Sequence, residues 1–108
     1  MKKSDLLQDV VATYEKHGWQ LRQVLLTAET RKEIESESSV NVEMKASTID
    51  AVWFSRPSPN NREAWELRLL AETQYALFET FEADETEEQR EDVKLEMEAR
   101  LRDYLNRS

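Results

Sequence analysis

Asp50, Glu66 and Arg68 are the residues of this chain whose types and spacing could do chemistry together. Two carboxylates held side by side can share a divalent cation that polarises a phosphoryl or carbonyl oxygen, and a guanidinium beside them can hold an anionic substrate. Glu66 and Arg68 are two residues apart, which puts them on one face of an extended segment. Asp50 falls on the preceding strand, where the register argued below sets it beside Arg68. A cross-strand ion pair of up to about 1 kcal/mol is then enough to account for those two charges without catalysis.

Other reactive groups are sparse. His17 is the single imidazole; it sits near a helix end, where a ring cation complements the helix dipole more readily than it serves as a base. There is no cysteine, which excludes thiolate nucleophiles, disulfides, zinc-finger ligand sets and iron–sulfur ligation. The one glycine, Gly18, excludes a glycine-rich phosphate loop. Asp84, Glu85, Glu87, Glu88, Glu91 and Asp92 lack the alternating oxygen ligands and the glycine of a calcium loop, and read as the solvated start of a helix. No metal and no cofactor are expected. The order Asp50, then Glu66-Leu67-Arg68, resembles the acidic residue followed by carboxylate-x-lysine of restriction-endonuclease-like folds, which implies a metal-dependent hydrolase. Arg68 stands where that pattern has lysine, and a further antiparallel strand follows where that fold has a helix.

The elements that would position these residues can be read from periodicity. Ser4 caps a first helix whose Leu6, Leu7, Val10, Val11 and Tyr14 follow the spacing of one buried stripe. Gly18 ends it as a left-handed residue, with Trp19 folding back on the last turn. Residues 19–27 read as a strand whose apolar pattern slips from Trp19 and Leu21 to Val24, Leu25 and Leu26, as a bulge or a strand covered on both sides would require. Residues 27–37 suggest a short exposed helix. Val40, Val42, Met44 and Ala46 alternate with polar residues as in a half-buried strand, and Ile49, Ala51 and Trp53 continue as a second strand or the far half of one bent strand, two strands being preferred. Pro57, Pro59, Asn60 and Asn61 form a turn between strands at 49–56 and 63–70, and a last strand follows at 74–82. Thr86 and Gln89 have capping-box spacing before a long helix whose stripe is Val93, Met97, Leu101, Tyr104 and Leu105.

Setting Trp53 opposite Trp65 makes every odd position of the hairpin apolar, and Leu67 then meets Leu77 on the last strand. Val42 and Met44 join opposite Trp53 and Ala51, and both terminal helices are expected on this odd face. The even face is mixed: Val52, Phe54, Arg56, Arg68, Leu70 and Phe78 make an apolar patch around charges. Such a patch is either covered by the first helix and the 27–37 segment or is a partner-binding surface.

With 108 residues and 39% apolar side chains, the chain supports a core without staples despite 35% charged residues. The expectation is a single α+β domain over residues 1–108: an N-terminal amphipathic helix, a mainly antiparallel four- to five-stranded meander and a long C-terminal helix packed on one sheet face. A net charge of −8 disfavours nucleic acid and anionic membrane, and suits a basic protein partner. No apolar leader or membrane-spanning run is present, so the expected compartment is the cytoplasm. The expected function is a small, non-enzymatic protein-interaction module acting through the mixed face or through a homodimer. The alternative is a small-ligand binder or metal-dependent hydrolase using Asp50, Glu66 and Arg68.

Overall fold

The structure is a computed structural model that describes residues 2–37 and 43–107. The first helix, α1 (Lys3–Lys16), starts without a side-chain cap, and Ser4, expected to cap it, is buried within its first turn. The cap is supplied from a distance: the Lys3 amide donates to Glu33 Oε1 at 2.8 Å, satisfying one of the orphan donors that a serine would otherwise take. At the other end Gly18 adopts φ 87°. The Trp19 amide donates to the Tyr14 carbonyl at 3.0 Å and the Gly18 amide to the Glu15 carbonyl at 3.1 Å, the two bonds of a Schellman closure.

β1 (Gln20–Leu26) carries a register shift between Leu21 and Gln23. Beyond it Val24 and Leu26 enter one core while Leu25 enters the other. The slip in the apolar pattern therefore has both expected causes, a bulge at Arg22 and cover on both faces. α2 (Ala28–Glu37) begins where the Thr27 hydroxyl accepts the Thr30 amide. It is less exposed than its composition suggests, because Ile34 is fully buried in the same core as Leu7 and Val10.

Helix α2 carries the chain back to the side from which β1 started, so β2 (Met44–Ala46) lies parallel to β1, pairing Val24 with Met44 and Leu26 with Ala46. The expected pairing of Met44 with Ala51 is thereby overturned, and that of Val42 lies outside the described residues. β3 (Ala51–Ser58), β4 (Arg62–Leu69) and β5 (Ala76–Phe81) form an antiparallel meander. The five-stranded sheet has the order β2-β1-β3-β4-β5; it is mixed, with β1 inserted between β2 and β3 and with β3 at its centre.

In the β3–β4 hairpin Trp53 pairs with Leu67 and Ala51 with Leu69, two residues away from the expected register. The turn explains the slip. Asn60 and Asn61 have φ 64° and 60°, the positive values that a tight hairpin turn needs, so the pivot falls one residue later than the proline composition implied. A two-residue slip preserves which face each side chain occupies. Leu67 pairs with Leu77 as expected.

α3 (Glu87–Arg107) opens with a closed capping box: the Thr86 amide donates to Gln89 Oε1 at 2.9 Å, and the Gln89 amide to Thr86 Oγ1 at 3.1 Å. Its Met97 and Leu101 pack on Leu25, Ala51, Trp53 and Leu67. Tyr104 stacks on Tyr75 with ring centroids 3.7 Å apart. The first helix does not share this face. Leu7 and Val10 of α1, with Ile34 of α2, pack on Val24, Leu26, Val52, Phe54 and Leu70 of the opposite face. The odd face is already filled by α3, and the even positions of β3 are apolar enough to floor a second core, so the layers are helix, sheet, helix. Among the described residues no helix is long and apolar enough to cross a membrane.

Candidate functional site

The three residues singled out for chemistry are engaged separately. Asp50 sits just before β3, where its carboxylate accepts the Thr27 amide at 2.8 Å and the Thr30 hydroxyl at 2.7 Å, and lies 3.8 Å from Lys3 Nζ. Its carbonyl accepts the Leu70 amide, and the Lys3 ammonium donates to the Leu70 carbonyl. Asp50 thus ties the start of α1, the start of α2 and the end of β4. The expected pairing with Arg68 does not form, because the shifted register sets Val52 opposite Arg68.

Glu66 is claimed by α1, since its carboxylate accepts the Tyr14 hydroxyl. The Tyr14 ring lies flat on Phe54, centroids 4.1 Å apart and 11° between planes. Burial first, and the Glu66 carboxylate second, push the Tyr14 hydroxyl well above the ordinary tyrosine range, with Arg68 opposing weakly. Arg68 is only 9% exposed. Its guanidinium donates to the Leu69 carbonyl and lines a cleft against α1. Among the described residues no group of three or more histidine, aspartate or glutamate side chains is arranged to hold a metal ion.

The mixed face divides in two. Val52, Phe54 and Leu70 are each 0% exposed beneath the helices, so half of the expected partner-binding patch is core. Phe78 is 57% exposed. Its ring meets Trp19 edge-on at 6.4 Å, and the Arg56 guanidinium covers the Trp19 ring at 4.5 Å while donating to the His17 carbonyl at 3.1 Å. Arg56, Trp19 and Phe78 therefore form a row at the C-terminal end of α1, in which Phe78 is exposed and Trp19 is buried beneath Arg56. The sequence reading missed Trp19 as a member of this row, although its position directly after the helix-ending glycine is the signal that sets it there. His17 is spent locally, its ring Nδ1 lying 2.8 Å from the Thr13 carbonyl.

Phe78 belongs to β5, an edge strand paired only with β4. The Leu69 amide donates to the Tyr75 carbonyl at 2.9 Å, so by the alternation of antiparallel ladders the odd positions face β4, and the backbone groups of Ala76, Phe78 and Thr80 point off the edge. The Thr80 amide is covered by the carboxylate of Glu79 at 3.2 Å. The flanks of this strand are anchored: Arg90 of α3 binds Glu63 and the Glu82 carbonyl, each at 2.8 Å, and Arg62 lies 2.9 Å from Glu82.

Charge is concentrated in the stretch of sequence that contains this strand. Residues 71–92 contain nine acidic residues and one arginine, a net −8, while the remaining fourteen basic and fourteen acidic residues cancel. The net charge of the chain thus equals that of the segment running from the end of β4 through β5 to the first turns of α3. Comparison of the chain with protein-family models, with curated proteins and with solved structures finds no match in any of the three.

Proposed function

We propose that this protein is a non-enzymatic interaction module of the cytoplasm that binds an extended, basic protein segment by strand addition to β5. The observation that carries this reading is the coincidence, on β5, of outward-pointing backbone groups and the 57% exposed Phe78 within the stretch of sequence that holds the net negative charge. A partner strand gains main-chain hydrogen bonds from the edge, an apolar anchor from Phe78 beside Trp19, and attraction from the acidic flanks. The absence of cysteine makes the fold independent of redox conditions. A second copy of the chain is a poorer occupant, because pairing β5 with β5 would bring two stretches of −8 together.

A fluorescein-labelled peptide of alternating lysine and valine is the probe. Its anisotropy should rise on titration with the protein and fall again with added salt. Phe78→Ser should weaken binding at least about tenfold, as loss of a buried aromatic anchor does. N-methylation of alternate peptide amides should abolish binding. Equal affinity for the methylated peptide, or for the Phe78→Ser variant, would rule out strand addition at β5.

A further inference from the structure

A second site lies one row further along the sheet, on the opposite side of Tyr14 from the Trp19 and Phe78 row. Between α1 and β4 runs a cleft of about 500 Å³, walled by Leu6, Val10, Thr13, Tyr14, Arg68 and Gln74, within the size range of small-molecule sites. Its floor holds an electrostatic mismatch. Arg68 is nine-tenths buried, yet among the described residues no carboxylate lies within ion-pair distance of its guanidinium; its hydrogen bond goes to the neighbouring Leu69 carbonyl. The adjacent acid, Glu66, is occupied by the Tyr14 hydroxyl. A buried cation without a counter-ion is costly, and an arginine presents a planar fork suited to a carboxylate.

We propose that this cleft binds a small organic monocarboxylate with an aliphatic body, the carboxylate on Arg68 and the aliphatic part on Leu6 and Val10. The apolar wall selects a ligand with carbon attached to the anion rather than a bare inorganic ion. Asp9 lines the same cleft and opposes a second negative charge more than a first, so a monocarboxylate is preferred over dicarboxylates and phosphate. Thr13 and Gln74 supply neutral polar groups for a substituent such as a hydroxyl or an amine.

The probe is 4-methylpentanoate, followed in amide correlation spectra of the intact chain, with its neutral amide and inorganic phosphate as comparators. A ligand of this size binds at roughly millimolar strength. Saturable shifts should centre on Val10, Thr13, Tyr14 and Arg68, and the neutral amide should bind at least about tenfold more weakly, the loss expected when a charge-assisted pair is removed. Arg68→Gln should abolish the shifts, while Phe78→Ser should leave them unchanged, which separates this site from the β5 edge. The comparison of carboxylate with amide is made on the unmodified protein and so stands even if Arg68→Gln fails to fold. Absence of shifts with 4-methylpentanoate, equal binding of its amide, or equal binding of phosphate at the same residues would overturn the proposal.

Discussion

Phe54 and Phe78 lie in one row across the sheet: Leu21 pairs with Phe54, Phe54 with Glu66, and Glu66 with Phe78. The two rings project from the same face, yet one is 0% and the other 57% exposed. What separates them is the reach of α1. Tyr14 stacks on Phe54 and bonds to Glu66, but the helix stops at Lys16 and only the edge of Trp19 reaches Phe78. Identical chemistry on one sheet face becomes core or surface according to where the covering helix ends, and Gly18 sets that end.

Three substitutions test this contrast. The largest effect is expected from Phe54→Ala, which removes a fully buried ring and should cost about 3–5 kcal/mol in urea unfolding; a loss below about 1 kcal/mol would mean that α1 does not seal this row. Tyr14→Phe should cost about 1–2 kcal/mol near neutral pH by leaving Glu66 without its donor. It should also change the alkaline limb. The folded hydroxyl resists ionisation while an unfolded tyrosine ionises near pH 10, so the contribution of this group is complete below about pH 10 and is lost as pH rises beyond it. Urea midpoints measured from pH 8 to 11 should therefore fall less steeply in Tyr14→Phe than in the parent chain, and parallel curves would show that the hydroxyl is not held in its protonated form. The smallest effect belongs to Phe78→Ser, whose stability should stay within about 0.5 kcal/mol of the parent. Unfolding comparable to that of Phe54→Ala would erase the distinction between sealed and open halves.

Much of this arrangement was legible in local signals. Thr86 with Gln89, and Gly18 with Trp19, are short-range hydrogen-bond motifs whose partners are fixed by sequence separation, and both form as read. The assignment of side chains to sheet faces survived an incorrect hairpin register because the error was an even number of residues. Long-range choices were not legible. Nothing within α1 states which face of the sheet it covers, since either face offers apolar residues, and Ser4 lost its capping role to Glu33, a partner thirty residues away. The insertion of β1 between β2 and β3 depends on how α2 returns the chain. Of the candidate site, Arg68 and Phe78 were named from sequence, but the isolation of Arg68 from Asp50 followed only from where Asn60 and Asn61 turn the chain.

The interior position of β1, between β2 and β3, also orders assembly. Pairs within the β3–β4 hairpin are separated by as few as four residues, as in Ser58 with Arg62, whereas β1 meets β3 across separations of twenty-six residues for Leu25 with Ala51 to thirty-five for Gln20 with Ser55. Loop closure favours the short pairs, so the meander forms early and β1 docks late. Until it does, β3 presents an unpaired edge along Ala51 to Ser55, the most completely buried run in the finished protein. During synthesis and refolding that strand, rather than the acidic β5, is the surface most exposed to aggregation.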